Sequence, residues 1–283
     1  MSISSSAMLV ELNISVWTAS VIDRKATDKT TSDARATADA GQFKKNLAAG
    51  TTLRKQIADY AAQCRTWHNG RTMPWADKGP RLLPTSMFLD YKREVDSRKA
   101  YFEDKSAKFV ESYPDLLAQA PLYLGDLFDP FDYPTVEEVA SKFAFKLVFS
   151  PVPESNDFRI DVGNNELAEL RAQYDSAYET RINDAMRTAW DRLHNMLTGV
   201  SDKLTEPEGE KAKLFHGTFL SNITDMCNLL SHFNVTKDPE LEKARRSLEK
   251  AINGFDLEDI RSDIGVRADL KARVDEVLKG FDW

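Results

Sequence analysis

Residues 164–200, NNELAELRAQYDSAYETRINDAMRTAWDRLHNMLTGV, decide the fold class. Apolar side chains recur in steps of three and four: Leu167, Leu170, Tyr174, Tyr178, Ile182, Ala185, Ala189, Leu193, Leu197 and Val200. That is the period of one α-helical face, and no proline interrupts it. Asn164 or Asn165 supplies a cap, and Glu166 and Glu169 suit the positive end of the helix dipole. Such a helix is a rod of roughly 50 Å at 1.5 Å per residue, longer than a compact domain needs. It therefore calls for an equally long partner. Leu214, Phe215, Phe219, Ile223, Met226, Leu230 and Phe233 read as the antiparallel return, after a turn at Glu206-Pro207-Glu208-Gly209. Asp238-Pro239 then places a cap and a first-turn proline ahead of Leu241, Leu248 and Ile252. Gly254 stops that helix, Asp256 starts the next and Gly280 ends the last.

Working outward toward the N-terminus, three short segments alternate with period two. Met8, Val10, Leu12, Ile14 and Val16 are apolar, with Glu11, Asn13 and Ser15 between them. Phe143, Phe145, Leu147 and Phe149 alternate with Ala144 and Lys146, and Phe158, Ile160 and Val162 with Arg159 and Asp161. This is the pattern of half-buried strands. Between the second and third lies SPVPESND, where two prolines forbid helix, so these two strands form a hairpin. A lone hairpin is marginal in water, and the N-terminal strand is expected to join it in a three-stranded sheet (about 8–17, 143–149 and 158–162).

The remainder reads as helix and connection. Residues 18–41 lack an apolar face and suit a solvated helix or a mobile arm. A helix is expected over 41–64 and another over 85–113, the second capped by Thr85 or Ser86. A loop rich in Pro and Gly is expected over 67–84, and Pro114, Pro121, Pro130 and Pro134 mark an irregular connection. The whole is an α+β chain dominated by helix: a long antiparallel helical bundle or coiled-coil hairpin with a small sheet. Its expected division is an N-terminal helical region with the sheet and the Trp/Pro/Gly loop (1–163) and a C-terminal helical bundle (164–283), packed as one unit.

With 283 residues, 42% of them hydrophobic and 29% charged, the chain has material for a sizeable core. Cys64 and Cys227 match no ligand or redox spacing, which fits a reducing compartment. No run approaches the apolar length of a membrane span, and the opening MSISSS has neither the basic start nor the apolar stretch of a secretion signal. A cytoplasmic location is expected. The net charge of −7 is uneven: residues 1–110 hold 18 Lys and Arg against 12 Asp and Glu, and residues 111–283 hold 20 against 33. The basic excess lies between Arg24 and Arg81. It points either to an anionic partner or to attraction between the two halves.

Signs of catalysis are few. There is no phosphate-cradling Gly-rich loop, no dinucleotide fingerprint and no Gly-x-Ser-x-Gly elbow, and His68, His194, His216 and His232 share no metal-ligand spacing. No cofactor is expected. Asp126, Asp129 and Asp132 stand three residues apart, a spacing that suits a hard cation or acid–base work but equally suits turns before proline. No metal is assigned to them.

Two features carry more. Arg65, Trp67, Arg71, Trp75, Lys78 and Arg81 interleave aromatics with cations, the composition of a single-stranded nucleic-acid contact. The alternative is that both indoles pin a long loop to the bundle. The ending Phe281-Asp282-Trp283 combines aromatics with carboxylate, and suits docking into an apolar pocket with a basic rim. The alternative is that Phe281 and Trp283 fold back on their own helices.

The chain also resembles a family of bacteriophage and integrative-mobile-element proteins with no assigned activity. The resemblance rests on LVELNISVW at 9–17, MPWADKGPRLLP at 73–84, LGDLFDPFDYP at 124–134 and the 143–162 hairpin, and covers about residues 8–200. Members are often encoded near a MoxR-type AAA+ ATPase resembling the cobalt-chelatase small subunit and near a von Willebrand factor A-like protein, and some lie near recombination genes. The resemblance implies a phage or mobile-element protein working beside an ATPase, and supplies no catalytic residue. Three functions are therefore weighed. The first is a non-enzymatic scaffold or adaptor, self-assembling or engaged by the ATPase. The second is a nucleic-acid-binding accessory factor in phage DNA metabolism or recombination. The third is a metal-dependent enzyme of unfamiliar type.

Overall fold

The computed structural model of the chain describes residues 3–153, 164–205, 215–281 and 283; side chains of 164–168 fall outside the description. The chain is predominantly helical with a small antiparallel sheet. Among the described residues, no helix is long and apolar enough to cross a membrane.

The sheet differs from the expected three strands. Strand β1 (Ala7–Ser15) lies between β5 (Arg81–Pro84) and β6 (Ala144–Pro151), and β4 (Met73–Pro74) flanks β5, giving the order β4-β5-β1-β6. The expected strand at 158–162 lies outside the described residues. Two of the four strands come instead from the stretch read as a loop. Antiparallel pairing sets Ala7 opposite Pro84 and Val10 opposite Arg81, then Met73 opposite Leu82. Leu82 and Leu83 are both fully buried, so β5 shows a short apolar run rather than alternation, and its flanking Gly and Pro dominate the sequence signal. A separate two-stranded ribbon pairs β2 (Ser20–Ile22) with β3 (Lys44–Asn46). Between them α1 (Arg24–Asp33) is a solvated helix capped by Asp23.

Three helices also depart from expectation. The first core helix, α2, runs over Leu53–Arg71 rather than 41–64, because Phe43 and Leu47 belong to the β2–β3 ribbon and its exit. Thr51 Oγ1 accepts from the Leu53 amide at 3.2 Å and starts it. Helix α3 spans Phe88–Leu124 and continues through Pro114 and Pro121. Each proline removes one amide donor, yet Phe109, Tyr113, Leu116 and Ala120 keep a buried stripe at helical spacing past Pro114 and up to Pro121. Burial of that stripe outweighs the missing bonds. Helix α5 (Asn164–Leu204) is the long rod, but among the described residues no equally long helix returns along it. Its face is covered piecewise by α6 (Phe219–Phe233), α7 (Pro239–Ile252) and α9 (Ile264–Lys279), with the short α8 (Leu257–Ser262) leading into α9. Hydrophobic burial requires that the stripe be covered, and three helices do this as well as one. The turn expected at 206–209 lies outside the described residues.

The chain forms two compact units. The first contains Met1–Glu11, Gly70–Leu89 and Phe149–Trp283; the second contains Leu12–Asn69 and Asp90–Val148. The first has its core on Ala189, Leu193, Leu197, Leu230, Phe233, Leu248, Leu270 and Val274. Polar ties register its helices: Trp190 Nε1 donates to Asp238 at 3.1 Å, and Ser201 donates to Asp275 at 2.5 Å. The second has its core on Ile57, Ala61, Phe102, Phe109, Tyr113 and Val139. There Trp17 meets Tyr113 edge-on at 5.6 Å.

Candidate interaction surface

In the second unit, the chain leaving α3 forms a braced protrusion. Gly125, at φ +52°, ends the helix in a conformation glycine tolerates best. Asp129 accepts from the Phe131 amide at 3.0 Å and caps a single turn at Pro130–Asp132. Thr135 and Glu138 then close a capping box at the start of α4 (Val136–Ser141). Tyr113 Oη donates to the Pro134 carbonyl at 2.8 Å, which fixes the far end.

The brace beneath is ionic. Lys45 on β3 is 6% exposed; its ammonium pairs with Asp23 at 3.1 Å and with Asp132, and donates to the Leu127 carbonyl at 3.1 Å. Burial alone would push that ammonium down, but Asp132 and Asp23 outweigh it, and the Lys45 pKa lies above the ordinary lysine value. Gly50 adds a second support. At φ +88° it sits against the Tyr123 ring, where a Cβ would collide with the ring atoms. The segment is thus held by an ion cluster, two caps and an aromatic ring on bare backbone.

What it presents is apolar. Phe131 is 95% exposed, Leu122 84% and Tyr123 54%, with Val136 also outward. On the supporting ribbon Ile22 and Phe43 are exposed as well. Asp126, Asp129, Glu137 and Glu138 surround these side chains in sequence and are all exposed. Exposed apolar side chains on an anchored segment, with carboxylates beside them in sequence, make this stretch the candidate contact surface.

The residues singled out from sequence fall elsewhere. Arg65 and Trp67 sit on α2 in the second unit, and Arg71, Trp75, Lys78 and Arg81 belong to the first. The Arg65 guanidinium donates to the Ile14 carbonyl at 2.7 Å. Trp67 stacks on Tyr91 at 4.9 Å and carries the Arg98 guanidinium 4.7 Å from its ring centre. Trp75 is buried, edge-on to Tyr178 at 5.6 Å. Arg81 donates to Thr72 Oγ1 at 2.7 Å, while Arg71 and Lys78 are exposed. Both indoles are thus occupied within the fold. The first unit, moreover, carries 21 Lys and Arg against 28 Asp and Glu.

The aromatic ending folds back. Trp283 stacks on His194 at 5.0 Å and meets Trp190 at 5.7 Å, and its indole N–H donates to the Leu278 carbonyl at 2.7 Å. Phe281 lies 6.2 Å from Trp190, and Asp282 is outside the described residues. Of the three spaced aspartates, Asp129 is a cap and Asp132 an ion-pair partner, and among the described residues no group of three His, Cys, Asp or Glu is arranged for a metal.

Sequence reasoning singled out neither Leu122, Tyr123 and Phe131 nor Lys45. The signal was there in part, as LYLGDLFDPFDY crowds aromatics among turn residues, but exposure is a tertiary property. Set against protein-family models, curated proteins and solved structures, the chain matches none of the three.

Proposed function

We propose that the protein is a non-enzymatic scaffold or adaptor that docks partners through the Leu122–Phe131 protrusion. The observation that carries this is the near-complete exposure of Phe131 and Leu122 on a support braced by the buried Lys45 cluster. Each such side chain forgoes about 1.5–3 kcal/mol of burial while it faces water, and a partner surface recovers it. The matching surface is an apolar pocket with basic residues at its rim. Members of the phage and mobile-element family that the chain resembles are often encoded near a MoxR-type AAA+ ATPase, and such an ATPase is the partner this reading names.

The test is co-purification of the full chain with that ATPase, using wild type, Phe131→Glu and Leu122→Glu. The expected result is a stable complex with wild type and none with either variant, at unchanged melting temperature. A wild-type chain that leaves the ATPase unbound, or a complex indifferent to both substitutions, would overturn the reading.

A further inference from the structure

A second surface complements the first, and it lies in the other unit. Helices α5 and α6 leave a groove of about 370 Å³ between their facing stripes. Its floor includes Met196, Gly199, Phe219 and Met226, and Arg192 and Lys203 stand toward its two ends, eleven residues apart on α5. That separation is about 16 Å along the helix, or three turns. Gly199 opens the middle: a Cβ built there meets nothing within 4 Å. Methionines make such a floor adaptable to the shape that enters it.

The charge of the groove runs against its unit. Among the described residues that line it none is a carboxylate, although acidic residues outnumber basic ones in this unit by seven. Arg192 donates to the Gly70 carbonyl at 2.7 Å and to the Thr72 carbonyl at 3.0 Å, which fixes it at one end of the groove. Burial, then the nearby Arg81, pushes its pKa down to about 10. Lys203 is exposed and lies 5.9 Å from the Phe219 ring centre. A compact apolar knob with carboxylates on its Lys203 side suits this groove.

This chain carries that knob itself. Phe131, 95% exposed, projects from a one-turn protrusion with Asp126 and Asp129 just before it. We propose that the Phe131 protrusion of one copy docks into the α5–α6 groove of a second copy, with the ring over Gly199 and the protrusion's carboxylates toward Lys203. This rests on the protrusion being a docking surface, and it adds self-recognition. Because knob and groove are different surfaces, the contact is heterologous, and repetition builds a ring or an open chain.

The test is light scattering after size exclusion on the full chain across a concentration series. Wild type should gain mass with concentration. Gly199→Trp, which fills the groove, and Phe131→Glu, which removes the knob, should each weaken association at least tenfold. An equimolar mixture of the two should recover a one-to-one pair, since one copy keeps an intact knob and the other an intact groove. A wild type that is monomeric throughout, or a mixture that fails to pair, would overturn the proposal. Association that survives Gly199→Trp would do the same. Should Gly199→Trp not fold, Lys203→Glu serves as the groove variant under the same expectations. ATPase binding that persists in the groove variant while self-association never occurs sinks this inference and leaves the adaptor reading standing.

Discussion

Lys45 and Asp23 face each other at 3.1 Å, with side chains only 6% and 13% exposed. Together with Asp132 they join the β2–β3 ribbon to the protrusion, so the exposed surface depends on a buried charge. Lys45→Met leaves two carboxylates without their cation and Leu127 without its donor. The expected cost is about 2 kcal/mol, below that of a fully dry pair because Asp23 still meets water. Urea denaturation measures it. Proteolysis should then cut first between α3 and α4, and resistance equal to wild type there would mean the ion cluster is not the brace.

Acid sensitivity should come from α7. The Arg245 guanidinium donates to Glu242 at 2.8 Å, and that bond, opposed by burial and helped by Arg246, holds the Glu242 carboxyl at about 2. The folded value lies below the ordinary one of 4.5, so the contribution is complete above 4.5 and is lost as pH falls toward 2. Stability measured against pH should therefore show an acid limb that Glu242→Gln makes shallower. An unchanged limb would assign it to other carboxylates.

Gly199→Ala should stabilise the chain. The residue lies inside α5, a methyl group there meets nothing, and alanine loses less backbone entropy on entering a helix. A gain of about 0.5–1 kcal/mol is expected, read as a higher melting temperature. A lower one would show that the helix is not regular at this point.

Neither thiol should react in the native state. Cys64 and Cys227 are free and almost wholly buried; burial raises the Cys64 thiol and pushes Cys227 up to about 11. Ellman's reagent at pH 8 should count none in the folded chain and two after denaturation. Rapid labelling of one thiol in the folded chain would show local opening around it.

Much of the helical architecture is legible in the sequence because it is local. The stripe from Ile182 to Val200 repeats at the pitch of one helix face, and Asp238-Pro239 does cap α7, with Asp238 accepting from the Glu240 amide at 2.9 Å. Period-two alternation likewise marked β1 and β6. The protrusion was legible only as a cluster of turn residues. Its carboxylates drew attention as ligands, whereas Asp129 serves as a cap and Asp132 as an ion-pair partner.

What the sequence by itself determined is the predominance of helix beside a small sheet, the position of α5 and the absence of any familiar catalytic signature, since each follows from spacing along the chain. Only the tertiary structure decided that α3 runs through Pro114 and Pro121, that Leu82 and Leu83 form an interior strand, and that Trp75 and Trp283 are engaged while Phe131 is not. For α3, for β5 and for the engaged indoles, a segment's own preference is worth less than the apolar area it buries against residues far away in sequence. Whether an aromatic ring ends in a core or in water depends on what the rest of the chain brings to it.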